Sequence, residues 1–397
     1  MSFFFIVMGI LSFSYWYTGW RIIVPAGIVY PYNIILWVLA VVFLILPFVS
    51  IFIRLSGYYA SWVYVLTWVA YISIGFMTLL FLGLIARDII VIGLESMVML
   101  SEFIMSRLSE GNIFSGIITS DRHRSIINMT NLALIVSIAM LIVYGIVSAL
   151  RGPKVVEVTV PIEGLHHDLD GFRILQLTDI HAGSTLREPY IRNVADIVQD
   201  LDFDLIALTG DLADGQVHNL RQDIAPLGEL SAPHGKYFVT GNHEYYMGVE
   251  PWMEEARRLG YTVLNNEHRI ITRGEGSMIL AGISDIEAGR FRADHESSPI
   301  VSREGAPEGL VSVLLAHQPR SIFGAASAGF DLVITGHTHG GQYFPWMYFV
   351  GLQQPYTSGL HRHGKSWIYI SRGTGYWGPP IRVGAPSEIT VITLKRK

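Results

Sequence analysis

Phe172-Arg-Ile-Leu-Gln-Leu-Thr-Asp-Ile-His181 runs from a short apolar segment straight into a carboxylate and an imidazole two residues apart. Read alone, the run is a buried strand and the Asp-x-His pair is a polar turn at its end. The same grammar recurs along the chain. Leu205–Leu208 leads into Thr209-Gly-Asp211, Tyr237–Thr240 into Gly241-Asn-His-Glu244, Val311–Leu315 into Ala316-His317, and Leu332–Thr335 into Gly336-His-Thr-His339. Segments with helical periodicity, Tyr190–Gln199 and Pro251–Leu259, lie between several of these runs. Alternating strands and helices predict an α/β layer fold. In such folds ligands gather outside the carboxyl ends of the strands, which is where every polar cluster falls. The clusters can therefore meet although about 160 residues of chain separate the first from the last.

Outward from this core, Val155–Val160 alternates like a strand at a sheet face. Trp367–Ser371, Gly373–Pro380 and Ile389–Leu394 read as strand, loop and strand. The residues from 155 to 397 thus form one polar domain. The residues before it are different in kind. Of 397 residues, 51% are hydrophobic and only 15% charged, and no lysine occurs before Lys154. A soluble domain carries roughly 25% charged residues, so this composition predicts that residues 1–150 sit in lipid. Four segments are long and apolar enough to cross a bilayer core: 3–20, 34–53, 62–85 and 131–150. Tyr15, Trp16, Tyr17, Trp20, Tyr58, Tyr59 and Trp62 cluster near span ends, as an interfacial aromatic belt does. Segment 88–108 carries Asp88, Glu95 and Glu102 on one helical stripe, which fits a fifth span or, as favoured here, a helix lying in the interface.

With four spans, Arg21, Arg87, Arg107, Arg122 and Arg124 fall on one side and Arg54, Arg151 and Lys154 on the other. The positive-inside bias then places the C-terminal domain outside the cytoplasm, on an integral protein of the cell membrane. Segment 3–20 is not a cleaved leader, because it lacks a basic start and further spans follow. The net charge of −5 gives no sign of a nucleic-acid partner.

The chain has no cysteine, which excludes thiolate metal sites and cysteine nucleophiles. It also lacks a Gly-x-Ser-x-Gly elbow. What the strand ends supply is Asp179, His181, Asp211, Asn242, His243, His317, His337 and His339, a set of oxygen and imidazole donors suited to Mn, Fe or Zn. Two such ions about 3.5–4 Å apart activate a shared water and stabilise charge on a phosphoryl group, so no protein nucleophile is required. Each cluster alone has a plainer reading: a surface Asp-x-His loop, a satisfied strand-end histidine, a turn glycine at Gly210 or Gly241. Five clusters in order, each after a strand, are not explained that way.

At Asp179-x-His181, Gly210-Asp211, Gly241-Asn-His-Glu244, His317 and Gly336-His-x-His339 the sequence resembles the calcineurin-like metallophosphoesterases. The resemblance covers Val155 to the C-terminus with every motif present. It implies a four-layer sandwich of two mixed sheets flanked by helices, here preceded by an all-α transmembrane bundle. It implies that Asp179, His181, Asp211 and His339 hold one divalent ion, and that Asp211 bridges to a second held also by Asn242, His317 and His337. His243 would be catalytic without being a ligand, facing the phosphate or protonating the leaving oxygen, with Asp211 the other key group. Gly340-Gly-Gln342 and Gly375-Tyr-Trp-Gly-Pro-Pro380 look like the membrane-anchored branch of that family. That branch includes enzymes similar to UDP-2,3-diacylglucosamine hydrolases, general phosphodiesterases and the transmembrane protein with metallophosphoesterase domain.

The expected function is hydrolysis of a phosphodiester or pyrophosphate by a hydroxide bridging the two metals. A lipid-linked substrate is expected, because enzyme and substrate then share two dimensions. Rival readings are a phosphodiesterase or phosphatase for soluble substrates, a non-catalytic metal-binding scaffold, and a transporter carrying an appended enzyme. Trp346, Tyr348 and Phe349, soon after His339, form either an apolar lip at the site or part of the core.

Overall fold

The computed structural model describes residues 2–56, 60–108 and 120–397. Four long helices come first: α1 (Ser2–Ala26), α2 (Tyr32–Leu55), α3 (Ser61–Leu108) and α4 (Ser120–Leu150). Among the described residues, Tyr32–Ile53, Ser61–Ile104 and Arg124–Leu150 are helical, long and apolar enough to cross a membrane. The chain divides into two compact units, one of residues 1–53 and 65–144 and one of residues 54–64 and 145–397.

One expectation is corrected in the first unit. Segments 62–85 and 88–108 are not a span followed by a separate interfacial helix; α3 runs through both without a break. No proline lies inside it and no polar cluster offers its backbone other partners, so nothing ends the helix between Ile85 and Asp88. Its 48 residues extend about 70 Å at 1.5 Å per residue. Asp88 is accounted for locally. It is buried, accepts from Tyr17, and pairs with Arg21 Nη2 at 2.6 Å and Arg87 Nε at 2.7 Å. Arg87 in turn donates to Asn131 Oδ1 at 2.8 Å. A carboxylate among apolar helices persists only when paired in this way.

In the second unit, the chain from Lys154 to Lys397 folds into a four-layer sandwich, as the resemblance implied. In chain order its elements are β1 (Lys154–Ile162), β2 (Arg173–Leu177), α5 (Glu188–Gln199), β3 (Leu205–Thr209), α6 (Val217–Leu220) and β4 (Lys236–Val239). Next come α7 (Asn242–Met247), α8 (Val249–Arg258), β5 (Thr262–Val263), β6 (Glu267–Arg273) and β7 (Gly276–Gly282). The last are β8 (Ser312–Leu315), α9 (Ile322–Ser327), β9 (Leu332–Thr335), α10 (Trp346–Gln353), β10 (Gly359–His363), β11 (Ser366–Ile370) and β12 (Glu388–Arg396).

Two six-stranded sheets result, in the orders β1-β12-β2-β3-β4-β5 and β10-β11-β9-β8-β7-β6. Strands β2 to β5 are parallel, and β12 enters antiparallel to β2, with Thr393 opposite Arg173. The central strands are short continuous apolar runs because both faces are covered. In β2, Ile174 points between the sheets towards Leu280, Val313 and Ile334, whereas Leu175 packs on the outer face with α5 and α8. Leu314, Val333 and Ile368 close the opposite outer face with Ile322 and Phe330. Each fully buried aliphatic side chain here contributes about 1.5–3 kcal/mol. That packing holds the strand ends, and hence the loops beyond them, in fixed places.

The β6–β7 hairpin joins the second sheet at its edge. Residues 267–282 carry no expected element in the sequence reading, although the turn-like Gly274-Glu-Gly276 separates Ile270-Ile271 from Met278–Ala281 there.

Candidate metal centre

The carboxyl ends of β2, β3, β4, β8 and β9 deliver Asp179 and His181, Asp211, Asn242 and His243, His317, and His337 and His339 respectively. All eight are nearly inaccessible except His337, which is half-buried. Their backbones show what delivery requires. Asp179, His181, Asp211, His337 and His339 all lie in the left-handed region, with φ between 51° and 69°. A non-glycine residue held there costs about 1–3 kcal/mol. Five such residues, all of one expected ligand set, mark a place where the surrounding core overrides local preference. Glycines complete the turns by close approach as much as by φ: a side chain at Gly210 would run into Gly241 and His317, and one at Gly241 into Asp211.

The donor atoms converge. Asp179, His181 and His339 present ligand atoms within 4.8 Å of one another, and so do Asp211, His317 and His337. His181 Nε2 and His339 Nε2 face each other at 3.0 Å, as do His337 Nδ1 and His317 Nε2 at 3.1 Å. Asp211 Oδ2 stands between the two groups, 3.1 Å from His317 Nε2 and 3.6 Å from His181 Nε2. The remaining atoms of these side chains are occupied. Asp211 Oδ1 accepts the His243 N–H at 2.9 Å. Asp179 accepts from Thr178 Oγ1 at 2.7 Å and from the His337 N–H at 2.9 Å. His317 Nδ1 donates to the Thr209 carbonyl at 2.9 Å, which turns the Nε2 lone pair inward.

These residues fit a pair of divalent cations. Opposed imidazole nitrogens at hydrogen-bond distance leave lone pairs aimed at one point, and the Asn242 Oδ1 is buried without a hydrogen-bond partner. An amide oxygen left so is costly unless a cation takes it. The protonation preferences agree. Burial, reinforced by His317, pushes His337 down to about 3, and burial with His181 and Arg382 holds His339 well below its ordinary value. Both are neutral donors at physiological pH. Burial opposes charge on His317, but Asp211 beside it outweighs that and raises it.

Three residues to which the sequence reading gave no role complete the arrangement. Asp214 Oδ1 lies 2.8 Å from His181 Nδ1 and 2.6 Å from His243 Nδ1. Burial raises its carboxyl, yet the two imidazoles outweigh that and hold it well below the carboxylate range. It therefore orients one expected ligand and the expected proton donor together. The only sequence signal is a second carboxylate three residues after Asp211, in Gly210-Asp-Leu-Ala-Asp214. Glu244 accepts from the N–H groups of Gly241, Asp211 and Leu212 at 2.7–3.0 Å, tying the β4 loop to the β3 loop. Burial, with Asp211 nearby, pushes Glu244 up to about 7. Arg382, fully buried, donates to the carbonyls of His339, Gly375 and Ala385 and lies 3.1 Å from His339 Nδ1.

His243 packs under two exposed aromatic side chains, Tyr246 and Trp377. Its Nε2 is 3.9 Å from Asp211 Oδ2, and the rings of Tyr246 and Trp377 pack against it at 5.3 Å and 5.9 Å. Burial pulls its pKa down, but Asp211 and then Asp214 raise it to about 9. The two motifs Gly340-Gly-Gln342 and Gly375–Pro380 join here. The Gln342 amide accepts from the Trp377 N–H at 3.0 Å and donates to the Trp377 and Pro379 carbonyls. Trp346, Tyr348 and Phe349 are exposed on α10, so they are not core residues.

A model of the calcineurin-like phosphoesterase family matches residues 172–341, from β2 to the turn after β9. The chain is 40% identical over 278 residues to a transmembrane protein with metallophosphoesterase domain from Danio rerio, covering 67% of this chain and 63% of that one. It is 36% identical over 255 residues to an uncharacterized metallophosphoesterase of Helicobacter pylori strain J99, covering 64% of this chain and 67% of that one. A Campylobacter jejuni metallophosphoesterase, also uncharacterized, is 37% identical over 268 residues, 67% of this chain and 70% of its own. The match thus spans somewhat under two thirds of the Danio rerio protein's length.

Proposed function

Since the chain belongs to the calcineurin-like phosphoesterase family, we propose that it is a membrane-bound two-metal hydrolase that cleaves a phosphodiester or pyrophosphate of a lipid-linked substrate. The observation that carries this reading is the place of Asp211 Oδ2, within 3.1–3.9 Å of imidazole nitrogens from His317, His181 and His243. One carboxylate is thereby shared by two donor groups. Asp179, His181, Asp211 and His339 would hold one ion, and Asp211, Asn242, His317 and His337 the other. Two divalent ions in such sites supply an activated water and neutralise charge developing on the phosphoryl oxygens. The donor set suits Mn, Fe or Zn.

The chain's own residues do the rest. His243, paired with Asp214 at 2.6 Å, donates a hydrogen bond to the phosphoryl group or a proton to the leaving oxygen. The Asp214 carboxylate sits 2.6 Å from Nδ1 of that imidazole as its ion-pair partner, which leaves Nε2 for the reaction. Glu244 and Arg382 fix the loops.

The lipid-linked substrate rests on the apolar helices of the same chain, which keep the enzyme at a bilayer. Taking α1 to α4 as four spans, the arginine distribution supports a catalytic unit outside the cytoplasm of the cell membrane. The test is a hydrolysis screen on purified full-length protein reconstituted with Mn, Fe or Zn. Monoesters, diesters, nucleotide-sugar lipids and lipid pyrophosphates are offered in turn. Turnover of a lipid diester or pyrophosphate is expected. A fully metallated protein that cleaves none of them is a binding scaffold, and the proposal fails.

A further inference from the structure

Helix α10 reads Trp346-Met-Tyr-Phe-Val-Gly-Leu-Gln353, with no charged residue and no buried one. Just ahead of it Phe344 is exposed, and on it Tyr348, Phe349 and Leu352 are exposed, Leu352 by 81%. A water-facing helix normally shows one polar face. This one shows none, and a contiguous apolar surface of this kind marks a site of contact. The helix is also fixed to the metal centre. It follows the His339–Gly341 turn after four residues, and Gly341 has no room for a side chain because the Met347 backbone lies against it. From the same turn, Gln342 clamps Trp377, itself exposed, beside His243.

We propose that Phe344, α10 and Trp377 dip into the interfacial region of the bilayer and set the mouth of the metal centre at the depth of lipid headgroup phosphates. The chemistry of the surface selects this occupant. Trp and Tyr side chains are those enriched at membrane–water interfaces, and uncharged aliphatic neighbours enter the acyl boundary without a desolvation cost. Eight residues make a helix about 12 Å long, well short of the roughly 20–30 residues a side of a standard protein interface. The bilayer, by contrast, is held close by the spanning helices of the same chain, at high effective concentration. The substrate that follows, resting on the phosphoesterase reading, is a phosphate ester or anhydride carried by a lipid whose chains stay in the membrane during hydrolysis.

Because the chain has no cysteine, single sites can be labelled in the full-length protein. Tyr348→Cys, Leu352→Cys and, as an exposed reference, Glu308→Cys carry a nitroxide in nanodiscs of phosphatidylethanolamine and phosphatidylglycerol. Labels at 348 and 352 are expected to relax with oxygen and to be shielded from a water-soluble nickel chelate, with the reverse at 308. Equal nickel access at all three positions overturns the membrane contact. Spin–spin broadening at 348 or 352 overturns it in favour of a second copy of the chain. In a second arm, the double variant Tyr348→Asp, Leu352→Asp is expected to lose roughly tenfold or more on a vesicle-embedded lipid phosphodiester, with hydrolysis of bis-para-nitrophenyl phosphate unchanged. Parallel loss on both, or loss on neither, overturns the substrate assignment. Wild-type protein inactive on both substrates refutes the phosphoesterase reading instead, while the labelling result still decides the membrane contact.

Discussion

Replacing Asp214 by Asn tests how the site divides its labour. Asp214 Oδ1 lies 2.8 Å from His181 Nδ1 and 2.6 Å from His243 Nδ1, and its side chain is only 11% exposed, which leaves water little room to replace it. Asn preserves shape and an acceptor oxygen but removes the charge. A charge-assisted contact is worth about 1.5–3 kcal/mol and a neutral one about 1 kcal/mol, so each imidazole loses roughly 0.5–2 kcal/mol, or about 2- to 30-fold. At His181 the loss appears as weaker metal binding. At His243 it appears as a less stable imidazolium. Asp214 is one of the carboxylates that raise the His243 pKa against its burial. Removing one negative neighbour lowers it, so the alkaline limb of the kcat profile moves to lower pH. The assay compares an alkyl phosphodiester, whose leaving oxygen needs a proton, with an activated aryl ester, whose leaving oxygen does not. At saturating metal, kcat should fall about 2- to 30-fold on the alkyl ester and markedly less on the aryl ester. Equal losses on both, with an unshifted pH profile, would refute proton donation by His243 under Asp214 control.

Three further outcomes follow from the same geometry. Asp211→Asn should abolish activity and reduce the content of both metals in elemental analysis, since Asp211 Oδ2 faces both donor groups; loss of one equivalent only would show that it is not shared. His243→Ala should retain metal content while kcat falls roughly 10²–10⁴-fold, and metal loss in that variant would make His243 a ligand. Metal binding should release protons, because Asp211 raises the His317 pKa despite its burial and that proton must leave before Nε2 can coordinate. Calorimetric titration in buffers of different ionisation enthalpy measures the release, and affinity should rise with pH until His317 is neutral.

How much of this was legible beforehand depended on whether the cause was local. Strands β2, β3, β4, β8 and β9 could be read because an apolar run ending at Thr178, Thr209, Gly241, Ala316 or Gly336 is a local pattern. The β6–β7 hairpin was missed because β6 is an edge strand with a single buried residue, Ile271, so its apolar signal is reduced to Ile270-Ile271. The break expected near residue 88 came from an acidic stripe, but Asp88 meets its partners Arg21 and Arg87 inside the first unit and needs no break. Trp346 and Phe349 have the composition of core residues, and only their placement on α10 shows that they face outward.

The sequence by itself determined the donor set: eight carboxylate, amide and imidazole residues at strand ends, no thiol, and apolar helices ahead of them. Resemblance alone suggested which of them is shared. Tertiary structure decided that Asp211 lies between two imidazole groups, that Asp214 holds His181 and His243 together, and that five donors take left-handed backbone. The physical reason is range. A strand and its turn arise from neighbouring residues. The convergence of Asp179 with His339 across 160 residues, and the strain tolerated there, come from two sheets packed too tightly to let those loops relax.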